Sequence, residues 1–242
     1  MIQDLHSHTY YSFCGKDSPE EVIKTATKGG IEVLGITDHN YGICVSQTRE
    51  PDVNIHKKCI TRYYEHIKLL KEKYKNEIKL LCGIEIATFD PGYPWTNLLP
   101  PDVDVSIFDY CLVEHLDIEG TSVDDIFAFA KRCACPAVGI AHTDLPGYVR
   151  SKGLDLADYL KRMADENIFW EMNVNFDSIH KYNEHQYVKD FFENDELIEL
   201  VRKSGVKISV GFDGHNIEDY DAERVKTACQ RLEKLSIPLI EL

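Results

Sequence analysis

No Cys-x-x-Cys pair occurs among the eight cysteines of this 242-residue chain. That excludes a zinc ribbon and a thioredoxin-type redox motif. No run of about 18 apolar residues is present, so no helix is expected to span a bilayer. No charged-then-apolar leader precedes the first strand-like segment. A cytoplasmic address with reduced thiols is the resulting expectation. Positive charge is scarce: 27 Lys and Arg stand against 41 Asp and Glu, a formal net charge of -14. Nucleic acid and anionic membranes would repel such a chain, so neither is an expected partner. No Gly-x-Gly-x-x-Gly or Gly-x-x-x-x-Gly-Lys loop follows an apolar run, which argues against a nucleotide-binding doubly wound sheet. No internal repeat, low-complexity tract or linker divides the sequence. It reads as one domain over residues 1–242, and 43% hydrophobic content supplies a sizeable core.

Short apolar runs alternate with helical periods almost throughout. Strands are expected over residues 2–6, 33–37, 79–86, 110–114, 137–141, 169–174 and 207–211, all apolar or β-branched as buried parallel strands are. The stretch Ser18-Pro19-Glu20-Glu21 is a helix start, with a capping serine, a first-turn proline and a capping-box glutamate. That helix stops at Gly29-Gly30. Further helices are expected over 56–74, 123–132, 156–166, 189–204 and 222–235. Repeated β-then-α order predicts a parallel sheet flanked by helices, either a seven-stranded barrel or an open sheet. Residues 89–101, rich in proline, glycine and aromatics, read as a long functional loop. Cys133 and Cys135 read as small apolar residues at a helix end.

Histidines and acids fall at the strand ends. Residues two apart on a strand share a face, so His6 and His8 aim one way. Strand two ends in Asp38-His39 and strand four in Glu114-His115. Strand three carries Glu85 within an apolar run, and strand five ends at His142. Strand six carries Glu171 and Asn173, and strand seven runs into Asp213 and His215. One such residue would be a satisfied core group. Recurrence at one end of every strand points to a site, because barrels and α/β sheets place sites there. Imidazoles and carboxylates suit zinc, iron or manganese, which would also offset the cost of burying Glu85.

The segments DLHSHT, GITDHN, GIEI, EHL, AHTD and GFDGH, in this order, resemble the motifs of the PHP (polymerase and histidinol phosphatase) superfamily. The resemblance implies a distorted seven-stranded (β/α) barrel, TIM-like, with three divalent ions at its C-terminal face. It implies the ligands His6, His8, His39, Glu85, His115, His142, Asp213 and His215. The family's remaining ligand, His or Asp, lies five residues before the proline that opens the first helix, and Cys14 stands there in this chain. A thiolate suits zinc or ferrous iron. Asp17 is the alternative, an oxygen donor three residues on.

The implied activity is hydrolysis of a small phosphomonoester, such as histidinol phosphate or a sugar or nucleotide phosphate. Grouped ions make hydroxide available near neutral pH and neutralise charge on phosphoryl oxygens. Glu85 is implied to bridge ions; Asp213 is expected to hold one and help protonate the leaving oxygen. Asp38, Glu171 and Asn173 are expected to support the ligands from behind. Arg49, His56, Lys57 and Lys181, with Lys16, Lys58 and Arg150, follow strand ends and are candidates for phosphate contact. His66 and His185 read as surface residues, and His180 is ambiguous. Two other readings stand beside this one: an amidohydrolase-type metal hydrolase, and a non-catalytic metal-bearing module.

Overall fold

A computed structural model describes residues 1–40, 53–88, 104–119, 121, 123 and 125–242, with backbone alone at 53, 55 and 56. The chain runs β1 (Gln3–Asp4), α1 (Pro19–Gly29), β2 (Val33–Ile36), α2 (Val53–Tyr74) and β3 (Lys79–Ala87). It continues through β4 (Tyr110–Glu114), α3 (Ile126–Cys133), β5 (Val138–Ile140), α4 (Leu145–Ser151), α5 (Leu156–Asp165) and β6 (Ile168–Asn173). Next come α6 (Gln186–Glu193), α7 (Asp195–Ser204), β7 (Ile208–Gly211) and α8 (Ala222–Lys234). The expected functional loop at 89–101 lies outside the described residues.

All seven strands are parallel and neighbour one another in sequence order. The last returns to the first. Leu5 N–H donates to Val210 O at 2.8 Å, Asp213 N–H to His6 O at 2.7 Å and His8 N–H to Gly214 O at 2.9 Å. These bonds join the sheet edges and give the distorted seven-stranded (β/α) barrel rather than the open sheet.

Local chemistry accounts for the helix ends. Ser18 N–H donates to the Glu21 carboxylate at 2.9 Å, and Glu21 N–H donates back to Ser18 Oγ at 3.3 Å. Gly30 closes α1 with φ 80°. Two elements depart from expectation. The single helix expected over 189–204 is two, broken at Asn194 (φ -111°, ψ 94°), whose side chain accepts from Leu197 N–H at 3.0 Å. The apolar period runs on across the break and hides it. In α4, Pro146-Gly147 resembles a turn. There the Asp144 carboxylate accepts from Gly147 N–H at 3.1 Å, and proline occupies the first turn, where it needs no N–H acceptor.

Two apolar layers hold the barrel. The larger lies between strands and helices and includes Ile23, Leu34, Ile67, Ile84, Trp170, Phe191 and Phe212. The smaller gathers Leu5, Leu81, Tyr110, Leu112 and Phe169, with Ile240 from the C-terminal segment. Tyr110 fills this layer and donates its hydroxyl to Leu5 O at 2.6 Å. Its ring passes over Gly35, where a Cβ would lie 1.8 Å from Tyr110 Oη. Gly35→Ala should therefore destabilise the fold by about 1–3 kcal/mol, as overpacked cores do. Tyr110→Phe in the same chain should recover part of that loss in urea unfolding. Strict additivity of the two losses would contradict this packing.

Candidate metal centre

Alternation along the strands carries the small apolar layer into the polar end. Leu81, Gly83 and Glu85 share one face of β3, Tyr110, Leu112 and Glu114 one face of β4, and Phe169, Glu171 and Asn173 one face of β6. Acids and imidazoles thus follow the apolar residues toward the strand C-termini.

Glu85 lies at the centre and is 1% exposed. Its Oε1 is 3.2 Å from His6 Nε2 and 3.3 Å from His142 Nε2. Its Oε2 is 2.8 Å from His39 Nδ1 and 3.5 Å from His8 Nε2. Yet neither oxygen receives a hydrogen bond of good geometry among the described residues. Asp213 Oδ1 lies 3.0 Å from His8 Nε2 and 3.4 Å from His6 Nε2. Ligand-type atoms of His6, His8 and Glu85 lie within 4.8 Å of one another, as do those of His8, Asp213 and His215.

Acids behind the rings fix them. Glu171 accepts from His6 Nδ1 at 2.8 Å and from His142 N–H at 2.9 Å. Buried Asp177 accepts from His215 Nδ1 at 3.2 Å. A carboxylate only accepts, so the rings of His6 and His215 carry hydrogen on Nδ1 and, whenever they are neutral, leave the Nε2 lone pair for the cluster. Glu171 also needs Gly211 beside it, since a Cβ there would meet Glu171 Oε1 at 2.1 Å. Asp38 builds the turn after β1. It accepts from Thr9 N–H and Oγ1–H, both at 2.7 Å, and from Ser12 N–H at 3.0 Å and Ser12 Oγ–H at 2.7 Å. Ser12 Oγ in turn accepts from His39 N–H at 2.9 Å.

That turn sends the two sequence alternatives for the remaining donor in different directions. Cys14 Sγ lies with His8 and His39 ligand atoms inside 4.8 Å and contacts the His215 and His39 rings. Asp17 points elsewhere, accepting from Ile217 N–H at 2.8 Å.

Charge and burial oppose one another here. Burial pushes the His6 and His39 rings toward neutrality, but the surrounding carboxylates outweigh it and hold both well above the usual imidazole range. The same contest leaves His142 at about 9 and His215 at about 10. His8 goes the other way, to about 3, because burial is reinforced by charge on His39 and His215. Burial pushes Glu85 and Asp213 up, yet His6 and its neighbours hold both well below the usual carboxylate range. Burial also pushes the Cys14 thiol up, while contacts with His215 and His39 bring it below its ordinary value. Three cluster residues have left-handed backbone: His115 (φ 62°), His142 (φ 24°) and Asp213 (φ 56°). Such strain costs on the order of 1 kcal/mol per residue and gathers at functional sites.

Two histidines read as ambiguous or superficial stand at this centre. His180 Nδ1 pairs with Asp177 Oδ1 at 2.8 Å, and its Nε2 lies 3.8 Å from Asp213 Oδ2. The His185 ring stacks on His142, centroids 5.9 Å apart. Asp177 and His180 share an i, i+3 spacing just after β6, a signal the sequence did carry. The expected phosphate contacts fare differently. Lys57 is exposed on the first turn of α2, and Lys181 is exposed in the turn after β6. Among the described residues no hydrogen bond or ion pair joins either to the cluster. Arg49 and the His56 side chain lie outside the described residues. His66, read as superficial, pairs through Nδ1 with Tyr11 Oη at 2.8 Å.

The class these features define is a (β/α) barrel with a metal-type ligand cluster at the C-terminal mouth of its strands. The PHP domain model matches residues 4–237, and the chain belongs to that family. It is 27% identical over 217 residues to a probable phosphatase of Clostridium novyi (strain NT), covering 88% of this chain and 79% of that protein. Its fold is similar to histidinol phosphate phosphatase from Lactococcus lactis subsp. lactis Il1403, solved with Zn, L-histidinol and phosphate. The TM-score is 0.60 at 16% identity, over 99% of this chain and 95% of that one. Among the described residues no helix is long and apolar enough to cross a membrane.

Asp38→Ala should strip four donors of their acceptor and lower stability by about 3 kcal/mol. Urea unfolding reads this, and a loss below about 0.5 kcal/mol would contradict the role given to Asp38.

Proposed function

We propose that residues 1–242 act as one domain, a metal-dependent phosphatase that hydrolyses small phosphomonoesters. The observation that carries this reading is the set of buried carboxylate oxygens on Glu85 and Glu114 that face imidazole nitrogens without a hydrogen bond of good geometry among the described residues. Buried charge of this kind calls for cations. The donor set fits: ligands of one ion, at bonds of about 2.0–2.2 Å, lie roughly 3–3.5 Å apart, as the Glu85 and Asp213 oxygens lie from the His6, His8 and His142 nitrogens. In this reading His6, His8, Glu85 and Asp213 hold one ion, and Cys14, His39 and His215 a second. His115 and His142, with Glu85, hold a third. Zinc, manganese or iron suits these donors, with the thiol favouring the softer ions.

Bound ions would polarise the phosphoryl group and supply an activated water. The chain does the rest. Glu171 and Asp177 keep the His6 and His215 lone pairs turned inward. Glu85 ties the ion sites together. Asp213 uses Oδ1 toward the histidines, and its Oδ2, 3.8 Å from His180 Nε2, would take a proton from a charged His180 and relay it to the leaving oxygen, leaving His180 neutral. Family membership and the name of the C. novyi relative support ester hydrolysis. The ligands of the L. lactis structure make histidinol phosphate the first ester to assay.

Protein purified without chelator should carry more than one transition-metal equivalent and release phosphate from p-nitrophenyl phosphate or histidinol phosphate. Chelation should abolish turnover and Mn²⁺ or Zn²⁺ restore it. A chain holding two or more equivalents that cleaves no phosphomonoester would overturn the proposal.

Cys14→Ser should lose about one metal equivalent in elemental analysis, whereas Asp17→Asn should keep all of them. The reverse result would move the ligand to Asp17.

A further inference from the structure

Glu114 ends β4 beside His115; the strand pattern counts it among the strand-end acids, but the resemblance does not include it among the ligands. Successive residues of a strand face opposite sides, so Glu114 and His115 ought not to meet. They do meet: His115 Nε2 lies 3.0 Å from Glu114 Oε2. The cause is the left-handed backbone of His115, φ 62°, which breaks the alternation and lets its ring approach the Glu114 carboxylate.

The Glu114 carboxylate is buried, 4% exposed. Its Oε1 has no hydrogen-bond partner among the described residues, although His39 Nδ1 is 3.5 Å away. Its Oε2 is also 3.7 Å from His142 Nε2, and His142 Nε2 is 3.3 Å from Glu85 Oε1. Carboxylate oxygens of Glu85 and Glu114 fall with His39 inside one group of 4.8 Å. No Lys or Arg among the described residues pairs with either acid. Two carboxylates this close in a buried site, with no cationic side chain beside them, call for a cation between them.

We propose that Glu114 is a direct metal ligand, which with Glu85, His115 and His142 completes a shell of two carboxylates and two imidazoles. This rests on the function proposed above and enlarges its ligand set. The shell differs in kind from the Cys14, His39 and His215 group: it is richer in hard oxygen donors and suits Mn²⁺ or Fe²⁺ as readily as Zn²⁺. If Glu114 served only to orient His115, its Oε1 would need no place among the ligand atoms, and the acid would be replaceable by an amide.

Two measurements test it, neither of which reads activity. The first is anomalous diffraction from Mn²⁺-loaded crystals of the whole chain. The expected result is an ion at His115 and His142 with a Glu114 oxygen at bonding distance, about 2.0–2.3 Å. An ion there with Glu114 more than about 3 Å away, too far for any metal–oxygen bond, would overturn the inference. The second is elemental analysis of Glu114→Gln, which keeps the shape and an oxygen that can accept from His115. It should lose one equivalent relative to the parent chain while its metal-free form keeps the parent's circular dichroism. A loaded parent with an equally loaded Glu114→Gln chain overturns this inference alone. A parent that takes up no ion overturns the proposed function, and this with it.

Discussion

The Glu85 carboxylate is buried among His6, His8, His39 and His142 with no hydrogen bond of good geometry to either oxygen among the described residues, and the C-terminal half of the barrel is built around that burial. An unpaired buried carboxylate is costly enough that a protein normally neutralises it or removes it. Here Glu85, Glu114 and Asp213 stay ionised and several imidazoles are drawn toward the charged form. Protons are one way to balance those acids. Divalent ions are a better one, because each supplies two charges and several directed bonds to groups already spaced for them.

A second ring of acids makes the first ring possible. Glu171, Asp177 and Asp38 touch ligand side chains or the turns that carry them, and each is buried. Asp4 plays the same part for the backbone. Its carboxylate accepts from Phe212 N–H at 2.9 Å and Tyr220 Oη–H at 2.8 Å, joining β1 to the end of β7. Burial pushes its pKa up to about 6 in spite of those bonds. Stability is thus given up at several buried acids in return for fixed ring orientations, the usual relation between site and scaffold.

The barrel was legible because short apolar strands, helix starts such as Ser18-Pro19-Glu20-Glu21 and polar strand ends all agree. What stayed hidden depends on backbone detail or on contacts between distant segments. Asn194 breaks a helix without breaking its apolar period. Pro146-Gly147 has the chemistry of both a turn and a helix entrance. Asp177 meets His215 across 38 positions, so neither residue advertises the other. Glu114 and His115 are neighbours on a strand, and only the positive φ of His115 brings their side chains together. Cys14 was the favoured donor and Asp17 its alternative in the sequence; the turn built on Asp38 carries Cys14 to the rings and Asp17 to Ile217.

Thermal unfolding of the whole chain, with chelator and then with saturating Zn²⁺ or Mn²⁺, tests most directly whether this buried cluster is built for cations. An ion at a hundred times its dissociation constant adds about 2.7 kcal/mol of stability. In a chain of this size that corresponds to a rise of roughly 5–10 °C per site. A cluster built for cations should show a saturable rise of at least this size, reversed by chelator and strongly reduced in Glu85→Gln. A midpoint that ions leave unchanged, or that they raise equally in Glu85→Gln, would contradict it.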